Sequence, residues 1–247
     1  MSYESDVLRD WYLLFHYGSP EEILADAGFD ASVLPVGCTG FPVATVEAAG
    51  LEKPIGRALD IGCAVGRSSF ELSKMADEVI GIDFSQSFVD VAEEVRSGAQ
   101  PVYRRYSEMH LSEELEARLP AEANPDRVSF EQGDAMDLRG DLGAFDLVHA
   151  ANLLCRLLEP LRFLKRLPGL VKPGGIFVIA TPATWMEEYT PLENAPSGRT
   201  LDFLKEHLKG SFELREVTEI PFLIREHQRK FQLSTSQTSV WIRRSAE

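Results

Sequence analysis

Cysteine is scarce: Cys38, Cys63 and Cys155 are the only thiols in 247 residues. Three scattered cysteines build no disulfide framework, and no pair has the C-x-x-C spacing of a metal site. No metal is assigned. Positive charge is short as well, with 25 Lys plus Arg against 39 Asp plus Glu and a formal charge of −14. Nucleic-acid and anionic-membrane surfaces both require a basic footprint, so neither partner is expected. No apolar run approaches the roughly 18 residues of a membrane span. The opening, Met1-Ser-Tyr-Glu-Ser-Asp6, has neither the basic start nor the apolar stretch of a signal peptide. A soluble, reduced, cytoplasmic protein is the expectation.

Hydrophobic residues make up 44% of the chain, enough to bury a core at this length. Residues 1–55 read as a helical N-terminal extension, a candidate substrate lid, ahead of a main unit at 56–247. Val7, Leu8, Trp11, Leu14 and Phe15 share one face of a helix over 5–17, a pattern of core positions. Gly18-Ser-Pro20 ends it and starts a second helix at 21–26, and the glycines and prolines of 35–42 read as loop. From residue 57 apolar strands at 57–61, 78–83, 127–132, 145–150 and 175–180 alternate with helices near 66–76, 85–96 and 159–168, and a further helix follows at 199–209. That alternation predicts an α/β fold with a mostly parallel sheet covered on both faces. Strands at 212–220 and 237–243 follow without a helix between them and read as an antiparallel pair. The polar stretch 97–126 reads as a surface insertion.

The sharpest local signal is Ala58-Leu-Asp-Ile-Gly-Cys-Ala-Val-Gly-Arg67, a strand running into a glycine turn and then a helix. Asp83 ends the next strand, about 20 residues on, where an acid can accept hydrogen bonds from both ribose hydroxyls of a nucleoside. Asp134 follows the third strand. A dinucleotide site wants G-x-G-x-x-G so that a pyrophosphate can sit on the helix N-terminus. This loop is Gly-x-x-x-Gly after Asp60, which would repel a phosphate, and a nicotinamide oxidoreductase is accordingly disfavoured. The set Asp60-x-Gly-x-x-x-Gly, Asp83 and Gly133-Asp134, with Lys172-Pro-Gly-Gly175, resembles the class I S-adenosylmethionine-dependent methyltransferases. The resemblance implies a Rossmann-like sheet of seven strands, one antiparallel near the C-terminus, and S-adenosylmethionine as cofactor. It implies that Gly62, Cys63 and Ala64 line the methionine and ribose, Asp83 takes the ribose hydroxyls, Phe84 flanks the adenine, and Asp134 with Ala135 reaches its edge. Asp60, Gly66 and Ala150 complete the implied cofactor set. Ala64 stands where many members have a middle glycine.

Beyond the cofactor half, the chain resembles the methyltransferase domain family of ovothiol synthase, the 4-mercaptohistidine N-methyltransferases. Tyr12-Leu-Leu-Phe-His-Tyr-Gly18, Gly40-Phe-Pro42, Ala151-Asn-Leu153, Thr184-Trp-Met-Glu-Glu-Tyr-Thr-Pro191, Pro221-Phe-Leu-Ile-Arg-Glu226 and Arg229-Lys-Phe-Gln232 carry that likeness. It implies methyl transfer to an imidazole nitrogen of 5-thiohistidine, downstream of a separate iron-dependent sulfoxide synthase. Such a transfer needs alignment and a partner that fixes the ring tautomer more than a strong base. Asn152 is the candidate for that role, assisted by Tyr12 or His16. Arg225 is the candidate for the substrate carboxylate, because residues 225–247 carry five Arg or Lys against two Glu. Glu187 or Glu188 is the candidate for the ammonium. Tyr17, Arg156, Trp185, Tyr189 and Phe231 complete the expected substrate set. Another small-molecule amine or phenol acceptor stays open as the alternative, as does a non-catalytic partner that keeps the cofactor site.

Overall fold

The computed structural model describes residues 5–108 and 110–245. The chain opens with three helices, α1 (Asp6–Tyr17), α2 (Pro20–Leu24) and α3 (Phe41–Glu47). There follow β1 (Ile55–Ile61), α4 (Arg67–Leu72), β2 (Ala76–Asp83) and α5 (Gln86–Arg96). A hairpin, β3 (Val102–Glu108) and β4 (Leu111–Glu116), precedes β5 (Val128–Gln132), β6 (Phe145–Ala151), α6 (Pro160–Leu170), β7 (Val171–Thr181), α7 (Thr200–Leu208), β8 (Phe212–His227) and β9 (Lys230–Arg243). Local chemistry sets the helix starts: Ser5, Ser19 and Ser85 each accept a first-turn backbone N–H through their hydroxyls. Gly18 ends α1, where a Cβ would come within 2.6 Å of the Leu14 carbonyl oxygen.

Seven strands form one sheet in the order β5-β2-β1-β6-β7-β9-β8. The first five run parallel, and β9 lies antiparallel to both of its neighbours. This is a doubly wound, Rossmann-like sheet with one reversed strand. Period-two alternation splits the core: Leu59, Ile61 and Val148 pack with α6 and α7, while Ala58, Val79 and Leu147 face α1, α4 and α5. Among the described residues, no helix is long and apolar enough to cross a membrane.

Three stretches differ from the sequence reading. Phe41–Glu47 is helical where 35–42 was read as loop up to its end, because Pro42 sits in the first turn of α3, where its missing N–H costs nothing. The supposed surface insertion holds a hairpin that packs on the extension: Tyr103 is fully buried, the Tyr106 hydroxyl donates to Asp10 at 2.7 Å, and Arg105 donates to the Glu22 carbonyl at 2.8 Å. The tail strands run on through 221–236 as one long ribbon instead of ending in a loop.

That ribbon relocates Arg225. Strand alternation turns Phe222 and Ile224 towards α1 and α3, and Arg225 the other way. Arg225 is 3% exposed, and its Nη1 donates to the carbonyls of Ile23 at 3.0 Å and Ala25 at 2.6 Å. It satisfies the end of α2, whose carbonyls have no partner further along the helix. Phe231 lies over the same guanidinium at 5.5 Å and against Phe29 at 5.1 Å. Neither residue reaches the substrate cavity described below, so the carboxylate and substrate roles expected of them are corrected to structural ones. Arg225→Met should lower unfolding free energy by about 2 kcal/mol through loss of the two charged hydrogen bonds. Urea titration checks this, and an unchanged midpoint would contradict it.

Candidate active site

In open α/β sheets the crevice beyond the carboxyl ends of the strands is where ligands bind. A cavity of about 400 Å³ lies there, below α1 and α3. One half is made by the glycine loop and the ends of β2 and β5. Gly62 and Cys63 donate their N–H groups to the Ile82 carbonyl at 2.7 and 3.1 Å, which binds the loop to β2. Gly62 has φ +73, and a Cβ there would meet Leu153 at 3.1 Å, so glycine keeps the floor open. Ala64 adopts φ +47 and is held by a side chain: Asp83 Oδ2 accepts its N–H at 2.8 Å, while Asp83 Oδ1 accepts that of Ser85 at 2.9 Å. Burial raises the Asp83 carboxyl to about 6, against the opposing pull of those backbone donors. Phe84, 70% exposed, stands at the mouth. Asp134 accepts the Met136 N–H at 2.8 Å, and Ala135 is buried beside it.

The other half comes from α1, α3, β6 and β8. Tyr12, Phe15 and His16 stand three and four residues apart, hence on one face of α1, and all line the cavity. Phe15 is therefore core and wall at once, stacked on Phe41 at 5.9 Å. His16 Nδ1 is buried without a hydrogen-bond partner among the described residues. Burial, with the nearby Arg67 charge, lowers its pKa to about 3, so the ring is neutral. Asn152 follows β6 in the left-handed region at φ +54, a conformation asparagine tolerates. Its N–H donates to the Ala180 carbonyl at 2.8 Å, and its Oδ1 accepts the Ser236 hydroxyl at 2.5 Å. Arg156, Glu188 and Tyr189 line one edge, with the guanidinium 4.8 Å above the Tyr189 ring and donating to the Thr184 carbonyl at 2.8 Å.

Glu187 is not among the lining residues, and four further expected residues also lie outside the cavity. Tyr17, one residue round the helix from His16, donates its hydroxyl to the Val65 carbonyl at 2.7 Å and props the glycine loop from behind. Trp185 donates to Thr200 Oγ1 at 2.9 Å and staples the loop after β7 to α7. Gly66 caps α4 at φ +88, packed so closely that a Cβ would meet Phe130 at 2.7 Å. Ala150 is buried in the core face of β6. Their roles are support, not contact.

The sequence reading missed His149. It sits opposite Asp60 in the register of β6 against β1, so both side chains leave the same face. Its Nδ1 donates to Asp60 Oδ1 at 2.8 Å, and the Ser69 hydroxyl donates to Asp60 Oδ2 at 2.6 Å. His149 Nε2 lies 3.1 Å from Thr45 Oγ1 on α3. A histidine in register with the acid of the loop was the available signal.

The residues present suit a nucleoside with a cationic tail better than a dinucleotide. Asp83 offers carboxylate oxygens to a pair of hydroxyls, and Asp60 faces the loop where a pyrophosphate would be repelled. Comparison with known proteins agrees. Residues 59–179 match the model of a methyltransferase domain family. The chain is 28% identical over 123 residues to the ubiquinone biosynthesis O-methyltransferase of Coxiella burnetii, covering 50% of this chain and 42% of that one. It is 27% identical over 144 residues to the trans-aconitate 2-methyltransferase of Deinococcus radiodurans, covering 58% and 44%. The chain thus spans under half the length of these curated relatives. Among solved structures it is similar to the N-methyltransferase NodS of Bradyrhizobium japonicum WM9 in complex with S-adenosylhomocysteine, with TM-score 0.56 and 11% identity over 98% of this chain and 100% of that one. Fold, loop and domain match agree: on a Rossmann-like sheet, residues 59–179 are similar to a methyltransferase domain.

Proposed function

We propose that the chain transfers a methyl group from S-adenosylmethionine to an imidazole nitrogen of 5-thiohistidine, supplied by a separate iron-dependent sulfoxide synthase. The observation that carries this reading is the neutral His16, with an unpartnered ring nitrogen among the described residues, in the cavity wall. The resemblance to the 4-mercaptohistidine N-methyltransferases, carried by motifs from Tyr12 to Gln232, supports it. The curated relatives do not choose an acceptor, since their matches span at most 58% of this chain.

The cofactor supplies a sulfonium methyl carbon open to in-line attack. Asp83 would accept hydrogen bonds from the ribose hydroxyls, and Asp60 would face the ammonium. A neutral imidazole has one lone pair and one N–H, so His16 can hold the acceptor ring in one tautomer and leave the opposite nitrogen's lone pair for the methyl. Asn152, fixed by Ser236, lines the same cavity and would help to orient that ring. Arg156, the one arginine among the described lining residues, takes over the carboxylate role that Arg225 cannot fill, with Glu188 beside it for the ammonium. The rings of Tyr12 and Phe15 would steady the sulfonium charge. The apolar stretch of wall from Phe15, Phe41 and Ile224 favours a second reading, a phenol or another amine as acceptor.

Calorimetry separates these readings. S-adenosylhomocysteine should bind, and 5-thiohistidine should then bind at least about tenfold more tightly than histidine, a preference worth about 1.4 kcal/mol. Equal affinity for the two amino acids would remove the thiolated acceptor. His16→Phe should cut kcat/KM for 5-thiohistidine by about tenfold or more through the lost hydrogen bond, with S-adenosylhomocysteine affinity unchanged; unaltered turnover would contradict the role. Asp83 sets a pH dependence. Protonation removes the acceptor of the ribose hydroxyls, so affinity for S-adenosylhomocysteine should fall as pH drops through about 6. The loss between about pH 7.5 and about pH 5 should be about tenfold. Asp83→Asn should bind weakly and without this slope, and a slope that survives would assign it to another group.

A further inference from the structure

Asp60 is the only carboxylate in the described cavity lining that is 1% exposed, and it is held from three elements. Ser69 on α4 donates to one oxygen, His149 on β6 to the other, and His149 in turn meets Thr45 on α3. Ser69, His149 and Thr45 are themselves 0–1% exposed. A carboxylate only accepts, so Nδ1 of His149 must carry a proton. The Thr45 hydroxyl has a single proton and stands 3.1 Å from both His149 Nε2 and the Pro42 carbonyl. Either the hydroxyl donates to an Nε2 lone pair, or an Nε2–H donates to the hydroxyl, whose own proton then goes to the Pro42 carbonyl; both pairings join the ring to α3. The same helix contributes Phe41 and Pro42 to the acceptor half of the cavity.

We propose that His149 is a positioning residue, holding Asp60 in one orientation for the ammonium end of the cofactor and, through Thr45, tying that orientation to α3. The proposal rests on the methyltransferase reading of the cavity. Without the ring, Asp60 keeps one neutral donor and can rotate away from the cofactor. With it, binding of the cofactor also stiffens the wall against which the acceptor lies.

Three variants test this, with S-adenosylhomocysteine as the probe. His149→Leu keeps bulk but no donor and should weaken binding by about tenfold or more. His149→Asn places an amide N–H near the site of Nδ1 and should restore affinity to within about threefold of wild type. Thr45→Val keeps shape but cuts the link to α3. It should leave affinity within about twofold, while hydrogen exchange shows that S-adenosylhomocysteine no longer protects the amides of α3 yet still protects those of α4. Should His149→Leu fail to fold, the rescue by Asn and the split readout of Thr45→Val decide. Wild-type affinity in His149→Leu, Asn as weak as Leu, or full protection of α3 in Thr45→Val would each overturn the proposal. No binding by the wild-type protein would instead remove the methyltransferase reading, and the proposal with it.

Discussion

A buried acid at the head of a parallel strand must be paired from more than one side, and around Asp60 that requirement organises the upper half of the molecule. Its oxygens draw Ser69 from the helix after the glycine loop and His149 from the neighbouring strand. An unpaired charge in so dry a place would cost several kcal/mol. Every element that contributes a partner is thereby set in place relative to the loop. Asp83 works from the other side, bridging the N–H of Ala64 in the loop and that of Ser85 at the start of α5. Two carboxylates on successive strands thus define the cofactor half, and one of them, Asp83, holds Ala64 of the loop at its positive φ.

The acceptor half depends on packing more than on polar pairing. Phe15, Phe41 and Phe222 cluster between α1, α3 and β8, and the β3–β4 hairpin clamps α1 from outside through Tyr106 and Asp10. Arg225 and Tyr17 serve this assembly from behind, one satisfying α2 and the other the glycine loop. The aromatic wall is therefore built on elements anchored at both ends. Rigid elements hold a substrate ring in attack geometry better than loops do, which suits a reaction whose main demand is alignment.

The parallel strands were legible because each is a short apolar run bounded by turns, and the glycine loop because its spacing has one physical use. Asp83 and Asp134 could be placed for the same reason: strand ends in this fold point at the ligand. The hairpin at 102–116 escaped notice because charged residues mask its alternation and its single deep anchor is Tyr103. Arg225 shows the limit of composition. A basic residue beside aromatics suggests anion capture, but strand parity turned it to the opposite face from Ile224, where helix carbonyls were its partners. His149 reads from sequence as one more position in a buried strand; only pairing register brings it to Asp60.

The reaction proposed for this cavity moves a methyl group from sulfur to a ring nitrogen of a thiolated histidine. The most direct measurement is to incubate the protein with S-adenosylmethionine carrying a deuterated methyl group and 5-thiohistidine, and to locate the label by mass spectrometry and NMR. The account predicts a trideuteromethyl group on one imidazole nitrogen and S-adenosylhomocysteine in equal amount. Label on sulfur or the α-amine, or transfer to histidine at the same rate, would contradict it.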